Sequence, residues 1–161
     1  MVSYTELAAF IATLPDAQLT GTTIFLEDFS YKYSRLHSGS VWISGSWSIG
    51  QFIQADLGTI IRVEAVATQG RHNYDRWMTS YKVAYSADRL TYYFILNSDL
   101  RERIFAGNDD RSTVVEHMLE TAVAARYVRL YPQTWEGSPS LRWEVYGRDI
   151  GETLYIFILF V

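Results

Sequence analysis

The chain has 161 residues, of which 48% are hydrophobic, 20% charged and 16% aromatic, the make-up of one globular domain long enough to bury a core of its own. It has no cysteine, which excludes a disulfide framework, thiolate metal sites, iron–sulfur clusters and a thiol nucleophile together. The net charge is −4, from 14 basic residues (Lys32 and Lys82 the only lysines) against 18 acidic, without a block of either sign, so nucleic acid is not an expected partner.

Residues 1–15 carry neither the basic nor the apolar block of a signal peptide. Tyr4, Leu7, Ala8, Ile11 and Leu14 recur there at helical spacing behind a Ser3/Glu6 capping box, and Pro15 closes the pattern, so a short amphipathic helix is expected over 1–13. Residues 20–50 are rich in Ser, Thr, Gly and aromatics without sustained alternation. They read as unusually long loops, and long loops on a rigid scaffold usually carry function.

Beyond residue 50 the period is two. Tyr81, Val83 and Tyr85 share one face opposite Ser80, Lys82 and Ala84, and Leu141, Trp143 and Val145 alternate with Arg142, Glu144 and Tyr146. Further strands are expected at 51–57, 61–68, 91–96, 113–118 and 126–131, separated by DLG, SAD, GNDD and PQTWEGSP. Strands at this spacing without intervening helices make an all-β antiparallel sandwich or barrel. The stretch 148–161 ends in LYIFILFV, eight apolar residues. A membrane-spanning helix needs about 20, so the run is expected to form an extra strand buried on the domain, with a membrane or partner anchor, self-association included, as the other reading.

No catalytic constellation emerges. His37, His72 and His117 lack metal-ligand spacing, Asp109 and Asp110 sit in a turn sequence, and there is no Gly-rich phosphate loop or G-x-S-x-G elbow. The expectation is a binding protein without metal or cofactor.

Six stretches, QFIQADLG (51–58), VEAVATQGR (63–71), WMTSYKVAYSAD (77–88), IFAGNDDRSTVV (104–115), ARYVRLYPQTW (125–135) and LRWEVYG (141–147), together with LPDAQLT (14–20), resemble the discoidin, or coagulation factor V/VIII type C, domain over about residues 14–147. The resemblance implies a distorted jelly-roll with three loop spikes at one end, belonging to a family that attaches to galactose-type glycans, anionic phospholipid or proteins. It also implies an extracellular or cell-surface setting, although a cysteine-free chain suits a cytoplasm equally. Some relatives bind calcium, for which this sequence has no EF-type spacing. Extracellular members usually join their ends by a disulfide; Ser3 and Arg148 stand at those positions here. Something else must then hold the ends together.

By the resemblance, the spikes are residues 21–34, 37–50 and 70–77. The first carries Ile24, Phe25 and Leu26, an apolar tip of the kind membrane-binding members expose. In the second, Trp42 matches a core position, whereas Trp47 has no counterpart and is the candidate platform for a sugar ring or wedge into lipid. The third offers Arg71 at the groove floor, followed by His72, Asn73, Tyr74, Asp75 and Arg76, a mixture of donors, acceptors and an aromatic face suited to a polyol or carboxylate. His37 occupies the place where some protein-binding relatives pair that arginine with an acid. Arg142 and Glu144 are read as framework. The spikes are nearly neutral, and each basic residue contributes only about 1 kcal/mol toward an anionic leaflet, so a glycan ranks ahead of phospholipid as the expected ligand.

Overall fold

The computed structural model describes residues 7–150. Nine strands form it: β1 Ala8–Ala9, β2 Leu19–Gly21, β3 Trp42–Ile43, β4 Ile53–Gln69, β5 Trp77–Ser86, β6 Tyr93–Phe94, β7 Phe105–Ala106, β8 Val115–Glu136 and β9 Ser140–Asp149. All pairings between them are antiparallel, in the order β1-β9-β4-β8-β5-β6, with β2 on β4, β3 on β9 and β7 on β5. This is the all-β jelly-roll that the resemblance implies.

The stretches 51–57 and 61–68 belong to one strand, and so do 113–118 and 126–131. The reason lies in how β4 and β8 turn a corner together. Their register runs Ile53↔Leu130 to Asp56↔Tyr127, breaks, resumes at Ile61↔Ala125, and shifts again between Val63↔Val123 and Ala65↔Met118. Extra residues at such irregularities bend a strand. Gly58 sits in the corner at φ +81° with its N–H on the Asp56 carboxylate, 2.9 Å away, a conformation that a side chain would strain. Arg126 grips the same carboxylate at 2.8 and 3.1 Å. Both ends of each long strand therefore point toward the loops.

The Arg126 hydrogen bond, more than any other influence, holds the Asp56 carboxyl below its ordinary range. An unfolded aspartate titrates near about 3.9, so the folded value is the lower one. Its stabilisation is present above that pH and disappears as pH falls through the folded value. The difference in urea midpoint between the native chain and Asp56→Asn should be constant from about pH 5 to 7 and shrink below about pH 4; parallel curves throughout would refute this role.

The core gathers Trp42, Trp143, Tyr81, Phe105, Met78 and Leu130, all buried. The two indoles also serve as anchors. Trp42 Nε1 donates to the Thr23 carbonyl at 3.0 Å and Trp143 Nε1 to Ser34 Oγ at 3.2 Å, fastening both ends of the first spike.

The helix expected over 1–13 is not formed across its described part. Ala8 and Ala9 pair with Gly147 and Tyr146, Phe10 N donates to the Val145 carbonyl, and a 3-10 turn covers Ile11–Thr13. Local helical spacing loses because the buried Glu144 carboxylate takes the N–H groups of Ile11 and Ala12, which an α-helix would orient elsewhere. Arg148 and Asp149 extend β9. The apolar run 154–161 lies outside the described residues. The strand expected at 91–96 shortens to Tyr93–Phe94, because Asp88 Oδ1 draws in the N–H groups of Leu90 and Thr91 as a turn.

Candidate functional site

The spikes meet at one end of the fold because β2, β3, both ends of β4, the start of β5, both ends of β8 and the start of β9 all open there. The first two spikes lie side by side. Phe25 N donates to the Ile43 carbonyl, Gly45 N to Thr23 Oγ1 at 3.1 Å, and Thr23 Oγ1 to Gln51 Oε1 at 2.6 Å. A Cβ on Gly45 would come within 2.5 Å of the Ile24 carbonyl oxygen, so this approach requires glycine.

Of the expected apolar tip, Ile24 packs partly against the core, whereas Phe25 is 51% and Leu26 55% exposed. The triplet is thus a two-residue tip: the close approach to Gly45 turns Ile24 inward. On the second spike Trp47 is 55% exposed, with no aromatic partner among the described residues, and Ile49 is 64% exposed. Ile49 was not singled out in the sequence, where Ser48 and Gly50 around it signalled only a loop.

Arg71 is the centre of the polar cluster. Its guanidinium carbon lies 4.7 Å from the centroid of Phe29, on the first spike, and 5.4 Å from that of Tyr74, on the third. Its Nε donates to Asn73 Oδ1 at 3.0 Å and its backbone N–H to the Arg76 carbonyl. Burial, then the neighbouring charge of Arg76, lowers the pKa of Arg71. No described carboxylate pairs with it. Phe29 is a residue the sequence reading missed, since nothing local announces that a 3-10 turn at Glu27–Phe29 will carry its ring to a loop over forty residues away.

The rest of the cluster divides. Asp75 is taken by Arg111 at 2.7 Å, and that hydrogen bond holds its carboxyl below the ordinary range. Arg76 reaches Ser138 Oγ at 3.2 Å and lies 5.2 Å from the Tyr74 centroid. Tyr74 is exposed but already contacts two guanidinium groups, which leaves Trp47 as the freer platform. His72 and Asn73 are exposed. His37 adopts a left-handed conformation, φ 64°, with its N–H on Gln69 Oε1 at 2.9 Å; it is a turn residue beside the floor, and no contact joins it to Arg71.

Beneath these residues Arg142 is buried and clasps three loops. Its Nε donates to the Gly70 carbonyl at 2.8 Å, Nη1 to Ser38 at 3.0 Å and Nη2 to Arg111 at 3.0 Å. The framework role expected of it is therefore specific: it fixes the second and third spikes to the loop that carries the Asp75 partner. A shallow cavity of about 370 Å³ between Asp75, Trp77, Asp110 and Arg111 opens beside them. Asp110 itself accepts from Ser112 N, Thr113 N and Thr113 Oγ1, the turn expected of GNDD. A larger groove of about 600 Å³ lies at the opposite end, lined chiefly by apolar groups including Tyr93, Leu96, Leu100 and Val123, with its Glu102 already held by Lys82. Among the described residues no three His, Asp or Glu side chains gather to hold a metal ion.

This geometry agrees with what the chain is similar to. Residues 25–145 match the profile of the F5/8 type C domain. The chain is 34% identical to retinoschisin of Homo sapiens over 116 residues, covering 70% of this chain and 52% of that protein. It is also 34% identical to discoidin-2 of Dictyostelium discoideum over 117 residues, 73% of this chain and 44% of that one. It thus spans about half the length of these curated relatives. The solved structure of wild-type discoidin II from Dictyostelium discoideum superposes with a TM-score of 0.79 at 30% identity, covering 88% of this chain and 58% of that one. With a profile match over most of its length and relatives at this identity, the chain belongs to the F5/8 type C domain family.

Proposed function

We propose that the domain is a non-catalytic binding module that recognises glycans at the cell surface or outside the cell through its spikes. The observation that carries this reading is an exposed indole, Trp47, at the same end as a fixed and unpaired guanidinium, Arg71, with Asn73 beside it. Sugar rings have an apolar face that stacks on an aromatic ring and hydroxyls that need a few well-placed polar partners. Asn73 keeps its amide N–H donors and Asp75 its second carboxylate oxygen at the rim, and Arg71 supplies donors from its terminal nitrogens.

A second reading has its own support. Phe25, Leu26, Trp47 and Ile49 are exposed on adjacent spikes, and apolar tips of this kind insert into a lipid surface. The two readings separate in one pair of assays, a glycan array and sedimentation with phosphatidylserine liposomes. The expected result is retention on galactose-terminated glycans, weakened about 10-fold or more by Trp47→Ala as its stacking area is lost, with an unchanged melting temperature. Retention on liposomes alone, abolished by Phe25→Asp, would replace the glycan reading with the membrane one.

A further inference from the structure

Of the other arginines around the spike floor, Arg35, Arg111 and Arg142 have their charge or donors engaged, while Arg76 makes one side-chain hydrogen bond and keeps a buried Nε without a partner among the described residues. Arg35 pairs with Asp16 and donates to the Leu14 carbonyl, Arg111 pairs with Asp75, Arg76 reaches Ser138, and Arg142 holds three carbonyls. Arg71 differs. Its Nε is taken by Asn73, but its two terminal nitrogens meet no acceptor among the described residues. The acid on its own loop, Asp75, is occupied by Arg111. Glu27 and Asp28 on the first spike form no ion pair with it, and Arg76 stands near enough to add a second positive charge to its surroundings.

The side chain is nevertheless held in place. Phe29 and Tyr74 approach it from two different spikes, and Asn73 fixes its orientation through Nε. A guanidinium so placed is partly removed from water yet keeps its paired donors open. A neutral sugar hydroxyl offers the fork one oxygen and no opposing charge. A carboxylate accepts two hydrogen bonds in parallel and neutralises it, and because the fork is already oriented little freedom is lost when it does so.

We propose that the glycan bound at the spikes is acidic, with a sugar carboxylate received by the terminal nitrogens of Arg71. This rests on the glycan reading and narrows it to uronic-acid or sialic-acid types. It assigns Arg71 to specificity, separate from the stacking assigned to Trp47.

The test compares galacturonic acid, its methyl ester and galactose, which differ only at C6, by titration against the full chain and against Arg71→Gln. Galacturonate should bind about tenfold or more tightly than either neutral sugar, with an advantage that falls as salt is raised. In Arg71→Gln the three should become equal, and Arg71→Lys, which keeps the charge without the fork, should restore only part of the preference. Equal binding of all three by the native chain overturns the carboxylate assignment while leaving the glycan reading intact. A preference that persists in Arg71→Gln also overturns it. Failure of all three sugars together with every array glycan removes the glycan reading itself. Capture of an acidic peptide with no preference among the sugars also overturns the proposal, giving the cradle to a protein partner.

Discussion

Glu144→Ala is expected to destabilise the domain by about 3–5 kcal/mol, because a buried carboxylate is removed from several backbone donors at once. Glu144 accepts from Ala12 N and Val145 N, each at 2.9 Å, and from Ile11 N. Ile11 is itself fully buried in the core, so its N–H cannot turn to water without unpacking the side chain. Burial pushes the Glu144 carboxyl up while these N–H groups pull it down, and the substitution therefore removes both a desolvated acid and its compensation. The measurement is chemical denaturation combined with hydrogen exchange at Ile11 and Ala12. Those amides should lose protection under conditions where β4 and β8 keep theirs. A cost below about 1 kcal/mol, typical of a surface substitution, would mean that residues 8–13 are held by strand pairing alone.

The second large effect is at Arg142. Arg142→Lys keeps the charge but cannot serve three carbonyls in one plane. Hydrogen bonds from a charged donor contribute about 1.5–3 kcal/mol each, so a loss of about 2–4 kcal/mol is expected after lysine recovers part of one contact. Ligand retention should fall with it, since Ser38, Gly70 and Arg111 are no longer tied together. The contrast with Arg71→Gln is the decisive part of the measurement. That substitution should abolish carboxylate preference at a nearly native melting temperature, whereas Arg142→Lys should lower melting temperature and binding together. Native ligand retention in Arg142→Lys would show that the spikes hold their arrangement without the clasp.

The β scaffold was legible in the sequence because its long strands carry their own alternation: Tyr81 and Val83 are buried as the period-two pattern of β5 requires, although the pattern fails at its far end, where Ala84 and Ser86 are buried and Tyr85 is half-buried. The same pattern concealed continuity, since the bulges that join two apparent strands into β4 or β8 look locally like turns. Strands of two or three residues, such as Trp42–Ile43 and Phe105–Ala106, are too short to show any period. The N-terminus misled for a physical reason. A capping box and helical spacing are local signals, and they were outweighed by Glu144, 133 residues away in sequence from the N–H of Ile11 that it captures.

The site was legible in position and only partly in chemistry. Arg71 and its loop neighbours follow from the motif that places them after β4. That Phe29 would come to rest beside Arg71, that Arg111 would occupy Asp75, and that Ile24 would turn inward are consequences of how separate loops dock, and no spacing in the sequence encodes them.

β9 begins beside the spikes, where Ser140 faces Ile43, and ends at the β4 corner, where Asp149 faces Ile61. Pairing of Ala8 with Gly147 therefore brings the incoming and outgoing chain alongside one another at the pole remote from Arg71 and Trp47. A domain wired in this way can be threaded into a longer polypeptide, in tandem or as a cassette within another domain's loop, with its spikes at the pole away from both connections. Repeated copies on one chain would present their spikes independently, so that modest affinity at each could accumulate as avidity on a crowded surface.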